Sequence, residues 1–102
     1  MDKKIQREIF LARLKKQRDL IAQEDENYFL VIRQNLILLY GYHAAKEDYC
    51  LLKQVPFYEA TNVWRYKSPH QGYNEAPKSY KRQETVLKNL WQDKERFKPA
   101  NI

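Results

Sequence analysis

YFLVIRQNLILLYGYHAAKEDYCLL, residues 28–52, is the most apolar stretch of the chain, with no proline and a single glycine, Gly41. Set at 100° per residue, Tyr28, Phe29, Leu30, Val31 and Ile32 point in every direction around a helix axis, and so do Leu36 to Tyr40 together with Tyr42. A helix that is apolar all round must be buried all round. The stretch therefore predicts a central helix, about 27–54, carrying more apolar surface than one partner helix covers. Leu36, Leu39, Tyr40, Gly41 and Tyr42 are the expected hydrophobic interface, with Gly41 as the place of closest crossing.

Working outward, residues 3–23 lack glycine and proline and are rich in helix formers, which predicts a first helix. Its apolar positions fall in two stripes. One holds Phe10, Leu11, Leu14, Ile21 and Ala22; the other holds Ile5, Ile9, Ala12 and Leu20. The polar QEDEN at 23–27 suits the connection of a helical hairpin, with Asp25 or Asn27 capping the second helix. One continuous helix over 3–53 is the alternative. Pro56 ends the pattern.

Residues 56–79 contain Pro56, Pro69, Pro77 and Gly72, with aromatic rings in place of aliphatic side chains. VWRY at 63–66 has strand character but no clear partner run, so the segment reads as an extended arm lying on a surface. Residues 79–97 predict a C-terminal amphipathic helix, with Ser79 as N-cap and Pro99 closing it. The expected fold is thus all-α, one small domain over 1–102. Residues 1–55 form a helical hairpin core; residues 56–102 form a basic aromatic arm and last helix. Two glycines and four prolines in 102 residues argue against an all-β fold, which needs more turn material.

The net charge of +6 is uneven: residues 1–50 hold nine Lys/Arg against eight Asp/Glu, residues 51–102 ten against five. A basic half rich in aromatic residues points to an acidic partner. Trp64, Arg65, Tyr66 and Lys67, then Tyr80, Lys81 and Arg82, then Lys88 and Trp91 are the candidate partner-binding residues. Trp, Tyr and Arg dominate protein interfaces. The same residues also suit nucleic acid, where rings stack on bases and cations meet phosphates.

Catalytic chemistry is sparse. With glycine only at 41 and 72, neither phosphate-binding glycine motif can form. His43 and Cys50 share a face of the predicted helix and define the alternative of a small enzyme or metal protein, without further ligands at metal spacing. His70 is expected at the surface. No cofactor, metal or small-molecule substrate is expected. A single cysteine fits a reducing intracellular compartment, with the cytoplasm favoured over a mitochondrion or cilium. Charged residues after Met1 argue against a signal peptide, and no apolar run is long enough to span a membrane. The leading expectation is a non-catalytic accessory subunit that binds a protein with an acidic surface, or a second copy of itself, inside a larger assembly. A nucleic-acid-binding module is the alternative.

Overall fold

The computed structural model describes residues 2–98. It corrects the all-α expectation. Helix α1 (Lys3–Lys16) is followed by strands β1 (Leu20–Glu24), β2 (Tyr28–Arg33), β3 (Leu36–His43), β4 (Asp48–Tyr58), β5 (Val63–Tyr66) and β6 (Lys78–Tyr80), then helix α2 (Gln83–Asp93). Single 3-10 turns cover Ala44–Lys46 and Lys94–Arg96. The strands form one six-stranded antiparallel sheet in sequence order, β1 through β6.

The stretch at 28–52 is β2, β3 and the start of β4, not a helix. A run that is apolar in every direction is equally the pattern of strands covered on both faces, and periodicity alone does not separate the two. Phe29 and Val31 point to one face, Leu30 and Ile32 to the other, as period-2 geometry requires. The register Phe29↔Tyr40, Leu30↔Leu39, Val31↔Leu38 carries the same division into β3. Neither the helical hairpin (3–23 and 27–54) nor the continuous helix over 3–53 forms.

Each face has its own helix. On the first, Phe10 and Leu14 of α1 pack with Phe29, Val31, Leu38 and Tyr49. On the second, Val86 and Leu90 of α2 pack with Leu30, Ile37, Leu39, Val55, Trp64 and Tyr66. Each such side chain contributes roughly 1.5–3 kcal/mol by leaving water. The apolar surface of residues 28–52 is covered from within by this three-layer arrangement. Gly41 is buried on β3, and a Cβ there would lie 2.6 Å from Leu52 Cδ1 and 3.2 Å from the Tyr28 ring. The close crossing expected at Gly41 exists, but against neighbouring strands of its own sheet.

α1 stops short of the expected residue 23. Asp2 caps its start by accepting the Lys4 N–H at 3.1 Å, and Arg18, at φ 60°, turns the chain into β1. Arg33 then grips Asp19 through two bonds of 2.7 Å, fastening this turn to the end of β2. Asp25 caps no helix; its carboxylate accepts the N–H groups of Asn27 and Tyr28 at 2.8 Å each and shapes the β1–β2 turn.

The expected arm over 56–79 holds the end of β4, all of β5, a connecting segment and the start of β6. VWRY is indeed a strand. Its partners are the end of β4, through Phe57↔Trp64 and Tyr58↔Val63, and β6, through Trp64↔Tyr80 and Tyr66↔Lys78. The C-terminal helix exists but is shorter than 79–97. Ser79 lies in β6 and the N-cap position belongs to Arg82, whose side chain makes no capping bond. Pro99, expected to close that helix, lies outside the described residues.

Candidate functional site

The aromatic–basic cluster is divided by the pleat of β5. Trp64 and Tyr66 point into the α2 side of the core, with 6% and 1% of their surface exposed. Arg65 points to the opposite face and donates from Nη2 to the Pro77 carbonyl at 3.3 Å; Lys67 Nζ donates to the Tyr73 carbonyl at 3.0 Å. Tyr80 is half-buried with its ring 6.5 Å from that of Tyr66. Trp91 is half-buried beside Tyr28, at 6.5 Å, with Lys94 Nζ 4.5 Å from its ring centre. Lys81, Arg82 and Lys88 are exposed. Of the residues expected at a hydrophobic interface, Leu39 and Gly41 are buried, and Leu36, Tyr40 and Tyr42 are half-buried against the α1 side.

The cations themselves are distributed with a clear asymmetry. In the first half, Lys3 pairs with Glu26, Arg7 with Glu24, Arg13 with Asp48 and Arg33 with Asp19. Among the described residues, none of the ten Lys/Arg of the second half is ion-paired with a carboxylate. Lys78, Lys81 and Arg82 belong to β6 and the turn into α2, Lys88 to α2, and Lys94, Arg96 and Lys98 to the segment after it. Residues 78–98 therefore carry a surplus of positive charge, seven Lys/Arg against Glu84, Asp93 and Glu95.

Between β6 and α2 lies a polar concavity of about 520 Å3, lined by residues of β5, β6, α2 and the segment between the two strands. Its floor is Asp93, at the end of α2, with 13% of its side chain exposed. Tyr66 donates its hydroxyl to Asp93 Oδ2 at 2.8 Å, His70 Nε2 lies 3.1 Å from Oδ1, and Ser68 Oγ makes a long contact of 3.5 Å with Oδ2. Ser68 Oγ accepts the His70 backbone N–H at 3.1 Å, while the imidazole lies against Asp93. The cluster fastens the β5–β6 connection onto α2. Alternation along the chain sets Tyr66, Ser68 and His70 on one side, and this much is visible in the sequence. Asp93, distant along the chain, is not.

Burial raises the Tyr66 phenol above the ordinary tyrosine range, and its bond to anionic Asp93 raises it further. The unfolded phenol ionises near pH ~10. Below that pH both states keep the proton and the contribution of Tyr66 is fully present. Above it the unfolded chain binds fewer protons than the folded one, so stability falls with rising pH. An alkaline limb of about 1.4 kcal/mol per pH unit is expected from this group above pH ~10. Tyr66→Phe should flatten that limb in denaturant titrations between neutral and alkaline pH; an unchanged limb would refute the assignment.

His43 and Cys50 occupy diagonal positions on paired strands, in the registers His43↔Asp48 and Gly41↔Cys50. His43 Nδ1 accepts the Lys46 N–H at 3.3 Å and caps the turn at Ala44–Lys46. Among the described residues no three His, Cys, Asp or Glu side chains are grouped to hold a metal, and no helix is long and apolar enough to cross a membrane. Comparison with protein-family models, with curated proteins and with solved structures finds no match to this chain.

Proposed function

We propose that this chain is a non-catalytic accessory subunit whose β6–α2 side binds an acidic protein surface within a larger assembly. The carrying observation is the set of second-half cations without carboxylate partners, beside a first half in which four Lys/Arg are neutralised internally. Charge left uncompensated on one side steers association with a surface of opposite sign and sets its register. Lys78, Lys81 and Arg82 supply that charge and half-buried Tyr80 gives it apolar footing, whereas Lys88 and Trp91 line the β1 side of α2. An acidic protein is favoured over nucleic acid because the rings of Trp64 and Tyr66, which would stack on bases, are committed to the core.

The test is native purification of tagged wild-type chain and of a Lys78→Glu/Lys81→Glu/Arg82→Glu variant, each with and without nuclease. A protein partner that survives nuclease, is cross-linked to β6–α2 lysines and is lost from the variant is the expected result. Material that dissociates on nuclease treatment would replace this reading with the nucleic-acid one.

A further inference from the structure

We infer that the polar cavity between β6 and α2 is a slot for an extended acidic segment of the partner, held by its peptide backbone and one carboxylate; this rests on the reading that the β6–α2 side binds an acidic protein. The polar side chains lining the cavity fall into two sets. Toward the β5–β6 connection they are engaged within the chain. Asp93 accepts the Tyr66 hydroxyl and lies against His70, Gln71 spans from the Ser68 N–H to the Ala76 carbonyl, and Glu75 accepts the Gly72 N–H at 2.6 Å. Lys78, Tyr80, Asn89 and Gln92 line the same cavity, and among the described residues the polar ends of these four side chains have no partner. Lys78 and Tyr80 stand opposite Tyr66 and Trp64 in register, so both face α2. Asn89 and Gln92, three apart on α2, share one helix face, with Cβ atoms about 5–6 Å from each other.

The unpartnered set selects its occupant. A carboxamide offers a donor and an acceptor side by side, the complement of a peptide group, and so pairs with backbone of any sequence. Along an extended segment, peptide groups facing the same way recur about every 6.6 Å, close to the spacing of the two carboxamides. Tyr80 adds a hydroxyl that both donates and accepts. Lys78 is the one charged side chain of the lining that has no partner among the described residues, and its ammonium takes a single carboxylate. Asp93 and Glu75 are negative as well. Their field confines the incoming carboxylate to the Lys78 end and opposes a phosphate backbone, which would bring charge to every position.

Titration of the isotope-labelled full chain with an alternating Ser-Glu peptide, blocked at both ends and followed by NMR, tests this. Saturable shifts of the Asn89 and Gln92 side-chain amide resonances are expected, with weaker binding of the matching Ser-Gln peptide. Lys78→Gln should make the two peptides bind alike. Asn89→Leu/Gln92→Leu, with unchanged circular dichroism, should weaken both by about tenfold, the worth of two neutral hydrogen bonds. Asn89→Asp keeps the shape of the side chain and should weaken the Ser-Glu peptide more than the Ser-Gln one. No shift at millimolar peptide, shifts confined to other residues, a Lys78→Gln variant that still prefers Ser-Glu, wild-type affinity in the carboxamide variants, or tighter binding of an oligothymidylate to the same groups would each overturn the slot. In the native purification, a protein lost from the Lys78→Glu/Lys81→Glu/Arg82→Glu variant but kept by Asn89→Leu/Gln92→Leu would refute the slot and leave the acidic-partner reading standing; loss from both would support the two together.

Discussion

Phe10→Ala is expected to destabilise the protein by about 3–5 kcal/mol, the range for removing a fully packed phenylalanine. Phe10 sits where α1 meets the sheet. Its ring lies 5.2 Å from that of Phe29, 5.0 Å from that of Tyr40 and 5.0 Å from that of Tyr49, the last in a stacked arrangement. Arg13 covers it from outside at 5.6 Å while bonding to Asp48. Removing the ring leaves a cavity bounded by three aromatic neighbours that cannot collapse onto it without moving the helix. In a domain of this size a loss of that order lowers the melting temperature by roughly 15–30 °C. Ile9→Ala, one residue away on the exposed stripe, should change it by less than about 0.5 kcal/mol. Equal effects at the two positions, measured by urea titration, would show that α1 does not pack through Phe10.

Asp93→Ala carries the second large effect, about 2–3 kcal/mol, because it strands the Tyr66 hydroxyl inside the core without an acceptor. It also frees His70 and Ser68, so the β5–β6 connection should become more open to protease than in the wild type. Tyr66→Phe removes the stranded hydroxyl, so in the Asp93→Ala background it should cost less than in the wild type. A double-mutant cycle measures this coupling. Additive effects would mean that the bond between Tyr66 and Asp93 contributes nothing to the fold.

Parts of the architecture were open to reading from the residues. α1 declares itself by its lack of breakers, and one of its two stripes, through Phe10 and Leu14, is the buried one. The other leaves Ile5 and Ile9 exposed. α2 was legible from Leu87, Leu90 and Trp91. The sheet was not, for two physical reasons. First, β2 and β3 are covered on both faces, which erases the polar–apolar alternation that betrays a strand. Second, among the described residues no turn relies on glycine for a left-handed backbone angle. Arg18, Gln34, Glu47 and Asn62 take left-handed backbone angles, φ 50–60°, at a cost of roughly 1 kcal/mol each that packing offsets. Counting glycines therefore undercounted turns. At the site, the surplus of cations was readable, but the fate of the rings beside them was not. Trp64 and Tyr66 sit in alternation with Arg65 and Lys67, and strand geometry sends the two sets to opposite faces.

The sequence-ordered meander also governs how the chain is made. Each strand pairs with the one synthesised just before it, so the sheet can extend hairpin by hairpin with little loop-closure cost. Its two faces close at different times. α1 precedes every strand and can cover Phe29, Val31 and Leu38 as they emerge. α2 follows every strand, so Leu30, Ile37, Leu39 and Val55 remain uncovered until residues 83–93 have left the ribosome. A ribosome stalled before residue 83 thus holds a half-clad sheet, and a chaperone that shields apolar surface would act during that interval.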